Sequence, residues 1–535
     1  MADTELGFIL PHAPLPEGGP ARFGGKAWNL MRLAAAGLPV PPGFVLPTSW
    51  CGPENPGEAA LRAALQQGIA RLEAATGLEF GSVRRPLLVS VRSGAAVSMP
   101  GMLETVLDVG LNAGTVEGLM RLTGNPRLAW DSFRRLVQGF AEVVAGLPPH
   151  PFDVPPHPFD VLLQRAIAAA GVDSERDLDH RALRDAGLAM QERYESLASV
   201  PFPTLPMEQL EQAALAVFRS WTAPKAAAYR RINGVPDSAG TAVTVQTMVF
   251  GNAGGTSGAG VGFTRDPATG APSLYLDFCF NAQGEDVVAG RHTVTDPQRL
   301  ARLLPCVAAE LERARGTLEA LFRDMQDFEF TVQEGRLFLL QTRRGKRTPE
   351  AALRIAVDLV AEGLLAPAEA LALLEGVNLE AAAHTSFAPP LPEPLAHAAV
   401  AGSGVATGPI ALDAAAAERF AGQGTPPILL RPATLTADIE GLAQAAGILT
   451  AAGSRTSHAA VVARQLGKVC LVGCAGLEID VGARTCRLGG CTLAEGETLS
   501  LDGNSGAVYR GALPVITRRP DRELATIARW RADAA

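Results

Sequence analysis

The chain has 535 residues, of which 47% are hydrophobic and 19% charged, with a formal net charge of −8. That length is too great for one hydrophobic core and predicts roughly three or four domains, while the composition excludes a disordered chain. The acidic balance gives no electrostatic reason to bind nucleic acid, so any site for a polyanion must gather its Arg and Lys locally.

The acidic start, Met1-Ala2-Asp3-Thr4-Glu5, does not open a signal peptide, and no apolar run reaches the roughly 18 residues of a membrane span. A cytoplasmic location with no membrane partner is expected. The seven Cys are too scattered for a disulfide framework. Cys470, Cys474, Cys486 and Cys491 cluster, but their spacing fits zinc ribbons poorly and reads as small buried hydrophobes.

Gly24-Gly25-Lys26 opens a short apolar helix. It is not a Walker loop, because Ala27 stands where Ser or Thr is needed, and on these residues alone Lys26 is a surface lysine. The apolar run 86–91 reads as a strand ending in Arg92-Ser93-Gly94, where an Arg can clamp a phosphate bidentately or take part in a buried ion pair. Ser98-Met99-Pro100-Gly101-Met102 and Trp130-Asp131-Ser132-Phe133-Arg134-Arg135 follow. At 148–161 the word Pro-Pro-His-Pro-Phe-Asp-Val is written twice, and its prolines predict a loop with neither helix nor central strand.

Residues 242–250 alternate as a strand and lead into the glycine-rich stretch 251–265, which returns to a strand rather than to a helix. Glycines there let backbone amides approach phosphate oxygens, and the stretch is longer than a hairpin turn requires. Glu285 and Asp286 then stand as an acidic pair at a helix start. In the hairpin 327–343, alternation puts Asp327, Glu329 and Thr331 on one face of the first strand and Gln341 with Arg343 on one face of the second. Two such carboxylates can hold magnesium on phosphates while Arg343 neutralises charge; a solvated polar face is the other reading.

Residues 348–378 are helical in pattern, 386–394 are Pro-rich, and 396–515 alternate short strands with Gly turns. Within that unit, Thr456-Ser457-His458-Ala459-Ala460-Val461 reads as a capped helix start with His458 in the first turn. Free amides and the helix dipole there favour a phosphoryl group on the imidazole, although a core-satisfied histidine would look the same. The last segment, 516–535, is basic and then helical.

These stretches together resemble the pyruvate, phosphate dikinase family. Gly453-Ser454-Arg455-Thr456-Ser457-His458-Ala459-Ala460 is similar to its phosphohistidine motif, in the Thr-Ser-His form rather than the Cys-His form usual in phosphoenolpyruvate synthases, and Asp438-Ile439-Glu440-Gly441 fits beside it. The resemblance implies an α/β and α+β multidomain protein. An ATP-grasp-like domain would span 1–345, with a glycine-rich lid at about 251–262. A helical linker and Pro-rich hinge (346–395), a swivelling α/β phosphohistidine domain (396–515) and a C-terminal linker helix (516–535) would follow.

By the same resemblance Lys26, Arg92, Gly101, Arg135, Gly258, Gly260, Glu285, Asp286, Gln341 and Arg343 bind nucleotide or phosphate, and Asp327 and Glu329 hold Mg2+. His458 takes the β-phosphoryl of ATP while the γ-phosphoryl goes to phosphate, giving AMP and pyrophosphate. Thr456 is the position a regulatory protein modifies in some relatives, and Gly255 stands where the family leads one to expect an acidic residue. The family's pyruvate-binding barrel is expected on a separate subunit. Transfer to another acceptor, or a non-catalytic ATP-binding regulatory module, are the remaining readings.

Overall fold

The computed structural model describes residues 6–52, 55–97, 99, 104–147, 158–284, 287, 297–379, 382–432, 439–453, 463 and 466–534. The chain divides into two compact units, residues 1–253 with 338–341, and residues 254–337 with 342–535. Both mix helix and sheet, as expected of an α/β multidomain protein.

The first unit is built on an antiparallel five-stranded sheet in the order Gly7–Ile9, Gly43–Leu46, Ala242–Thr247, Val89–Gly94, Thr105–Val109. The strand that arrives last, Ala242–Thr247, is rich in Val and Thr, and it is inserted at the centre with Val243 and Val245 fully buried. Helix Pro126–Val143 starts at Asn125, whose side chain accepts from the Leu128 N–H, with Pro126 in the first turn where no donor is lost. Its apolar stripe, Phe133, Leu136, Val137 and Phe140, is buried, and Phe140 packs edge-on against Tyr194 of helix His180–Ala198.

One expectation fails here. The second copy of the proline repeat is not loop throughout, because Pro158-Phe159-Asp160-Val161 begins the helix Pro158–Ala170. Proline is excluded from helix interiors but not from the first turn, and Phe159, fully buried, fastens that turn to the core.

An antiparallel four-stranded sheet runs in the order Arg336–Arg344, Gln326–Gln333, Gly258–Phe263, Tyr275–Phe280; its strands belong to the second unit except for residues 338–341. The second unit also holds an eight-stranded sheet whose centre, Val405–Ala411, Ile428–Arg431, Gly447–Thr450 and Val469–Val472, is parallel. These strands are short continuous apolar runs, as burial on both faces requires, and Ile428, Leu430, Leu449 and Leu471 are fully buried. Cys470, Cys474 and Cys486 lie in the same apolar clusters, where burial pushes the Cys474 and Cys486 thiols up to about 11.

The Pro-rich stretch carries a strand, His384–Phe387, that pairs with Val515–Arg518. The basic start of the last segment is therefore strand, and helix Asp521–Ala534 follows, with Ile527 buried against Leu353 and Leu359. Among the described residues no helix is long and apolar enough to cross a membrane.

Candidate functional site

The hairpin Gln326–Gln333 and Arg336–Arg344 turns at Glu334 and Gly335, both with positive φ (49° and 76°). Glycine takes that conformation without strain. The alternation expected from sequence holds. Phe328 and Phe330 lie opposite Gly262 and Gly260, and Phe330 stacks on Phe278 at 5.8 Å. Asp327, Glu329 and Thr331 take the other face.

On that face the Arg343 Nε–H donates to Asp327 Oδ2 at 2.7 Å, with the carboxylate side chain 7% exposed and the guanidinium 42%. Burial works against the charge on Arg343, but Asp327 and Glu329 outweigh it and hold the guanidinium above its usual range. Lys346, just beyond the strand, is pushed down by burial and by Arg343. The arrangement is a carboxylate pair with one guanidinium within reach, able to hold a divalent cation and an anionic group together.

Sequence reasoning missed Asp277, which is fully buried. The register Glu329↔Val261↔Asp277 places it on the same sheet face as the hairpin carboxylates. The signal was present in the alternation Tyr275-Leu276-Asp277-Phe278-Cys279-Phe280. Among the described residues no three His, Cys, Asp or Glu form a group able to hold a metal by themselves.

The glycine-rich stretch needs a correction. Gly258–Phe263 is a buried strand rather than part of a lid, and the loop covers only 251–257. A Cβ at Gly258 or Gly260 would overlap Phe278 or Phe330, so these glycines make room for stacked rings. The end of the loop is fastened: Ser257 Oγ accepts from the Glu334 N–H at 2.9 Å, and the Thr256 carbonyl accepts from the Gly335 N–H at 2.9 Å.

In the first unit, the start of helix Gly25–Ala35 lies against the end of strand Val89–Gly94. Gly24, at φ 73°, leaves no room for a Cβ because the Gly94 carbonyl is there, and the Gly25 N–H donates to the Ala95 carbonyl at 2.9 Å. Lys26 and Arg92, both half-buried, thus stand on adjoining segments. Gln341 belongs to this unit as well, two residues after Leu339, whose N–H donates to the Pro39 carbonyl at 2.7 Å.

Arg135 is held rather than projecting: its Nε–H donates to Asp131 Oδ2 at 3.1 Å and its Nη2–H to Glu175 Oε1 at 3.4 Å. Burial alone would raise the Asp131 carboxyl, and Arg135 and Arg134 overcome it, keeping it well below the usual carboxylate range. Gly101, Glu285, Asp286, Thr456 and His458 lie outside the described residues.

Residues 57–308 match the family described as "Pyruvate phosphate dikinase, AMP/ATP-binding domain", and residues 424–506 match "PEP-utilising enzyme, mobile domain". His458 falls within the second match, while Lys26 and the 327–343 hairpin lie outside both. A pyruvate, phosphate dikinase of Clostridium symbiosum is 44% identical over 91% of this chain and 56% of its own length. One from Rhizobium meliloti (strain 1021) is 40% identical over 96% of the chain and 58% of its own length. The chloroplastic pyruvate, phosphate dikinase 1 of Zea mays is 43% identical over 95% and 54%. The chain therefore spans somewhat more than half the length of these curated relatives. Over nearly all of its own length it is similar to pyruvate, phosphate dikinases, which are phosphotransferases, and it carries matches to both their AMP/ATP-binding domain and the mobile domain of phosphoenolpyruvate-utilising enzymes.

Proposed function

We propose that the chain is the nucleotide half of a pyruvate, phosphate dikinase reaction, in which an ATP-grasp-type domain transfers the β-phosphoryl of ATP to His458 and the γ-phosphoryl to phosphate. AMP and pyrophosphate are released. The observation that carries this reading is the hairpin face, where Asp327 and Glu329 stand two residues apart with Arg343 2.7 Å from Asp327. Phosphoryl transfer needs little covalent help from protein; it needs positioned cations and a fixed line of attack.

The donor set fits Mg2+, which takes one or two carboxylates and completes its shell with substrate phosphates and water. Asp327 and Glu329 would hold it, and when bound it neutralises charge on the phosphates. Arg343 remains a cation throughout and can exchange Asp327 for a phosphoryl oxygen. Lys26, Arg92 and, on leaving Asp131, Arg135 hold the remaining phosphate oxygens, with Gln341, Glu285 and Asp286 toward the nucleotide. The loop 251–257 covers the phosphates and excludes water, and Gly101 contributes to phosphate binding. The imidazole of His458, on a mobile domain, must align with the β-phosphorus and then leave to meet an acceptor. That acceptor is pyruvate.

Incubating the protein with Mg2+, phosphate and ATP labelled at either the β or the γ position tests this. Acid-labile label retained from the β position, with γ label appearing only in pyrophosphate, is the expected result. Label retained from the γ position would overturn it.

A further inference from the structure

We propose that Asp131 is a positioning residue that couples the glycine-rich loop to Arg135, so that the two meet the phosphates as one unit; this rests on the nucleotide-site reading above. Asp131 is 4% exposed on helix Pro126–Val143. Its Oδ1 accepts from Arg134 Nη2 at 2.7 Å. Its Oδ2 accepts from Arg135 Nε at 3.1 Å and also from Asn252 Nδ2 at 3.2 Å. One oxygen atom therefore serves a residue of the arginine pair and the second residue of the loop 251–257.

Asn252 is 5% exposed, and only its amide nitrogen can donate to a carboxylate, so the orientation of its side chain is fixed. Its Oδ1 is buried without a hydrogen-bond partner, which leaves the bond to Asp131 as the side chain's hydrogen-bonded hold on helix Pro126–Val143. The bond from Arg135 to Glu175 Oε1, at 3.4 Å, is longer than that to Asp131. In so dry a place two donors on one acceptor oxygen compete for it, so the loss of either strengthens the bond to the other. When Arg135 turns toward a phosphate, Asp131 Oδ2 is left to Asn252 alone, and when the loop moves away it is left to Arg135. Each event alters the free energy of the other, which is what coupling means.

A double-mutant cycle measures it in ATP/phosphate against AMP/pyrophosphate exchange, using the full chain, Asn252→Ala, Arg135→Lys and the pair. Each single change slows exchange, and the double loses less than the product of the two losses by about fivefold or more. Losses that multiply within about twofold overturn the proposal. Hydrogen exchange of residues 251–257 without nucleotide gives a readout independent of turnover. Asp131→Asn should speed loop exchange by about threefold or more while helix Pro206–Ser220 is unchanged. A purely structural Asp131 would instead loosen its own helix and leave the loop alone, which also overturns the proposal. If the unaltered protein shows no nucleotide exchange, the dikinase reading fails, and the hydrogen-exchange measurement still decides the coupling.

Discussion

In the proposed site Arg343 is the cation bonded to Asp327, a carboxylate whose side chain is 7% exposed, so it stands where negative charge on a phosphoryl group would develop. Arg343→Met is expected to slow pyrophosphate release by about a hundredfold or more, the usual consequence of losing one positioned charge, with a smaller change in ATP binding. Glu329→Gln should move the Mg2+ dependence of labelling to higher concentration, read from a magnesium titration. Asp131 gives a pH signature. Its folded carboxyl is held below the usual range, so its contribution to stability is complete above the ordinary carboxylate pKa and is lost as pH falls below it. The urea-midpoint gap between the protein and Asp131→Asn should be constant above about pH 5 and narrow below about pH 4. At this scale the sequence was legible where alternation is strict: Asp327, Glu329 and Arg343 fall on one face as spacing requires. It was silent on Glu175, because a partner 40 residues from Arg135 leaves no local pattern, whereas the i, i+4 spacing of Asp131 and Arg135 was a local signal that went unread.

The elements show why glycine-rich runs mislead. Residues 251–262 look like one flexible lid, but only 251–257 is loop, and the following glycines exist because Phe278, Phe328 and Phe330 occupy the space their side chains would need. Gly260→Ala should therefore destabilise the second unit by about 1–3 kcal/mol, measured as a lower urea midpoint. A flexible lid would tolerate it. Arg265, fully buried at the end of that strand, is gripped by Glu319 at 2.9 and 3.0 Å and by Glu362 at 2.5 Å. Arg265→Met leaves these carboxylates unpaired and should cost about 3–5 kcal/mol. Composition alone could not separate loop from strand here, because glycine permits both; the ring that needs the space lies on another strand.

Across the whole chain, the sheets are assembled from segments far apart. Ala242–Thr247 inserts between Gly43–Leu46 and Val89–Gly94, and His384–Phe387 pairs with Val515–Arg518. Hydrophobic periodicity finds Ala242–Thr247 without naming its neighbours, and it misses His384–Phe387 and Val515–Arg518, which are short and partly polar and are held by their pairing. The match at 57–308 takes in Arg92 and Arg135 and the match at 424–506 takes in His458, while Lys26 and the 327–343 hairpin lie outside both. In the proposed reaction the β-phosphoryl group passes through one imidazole, and replacing that imidazole is the most direct test. His458→Asn, incubated with ATP, phosphate and Mg2+, should form no AMP above the uncatalysed rate while still binding ATP; undiminished AMP production would contradict the account.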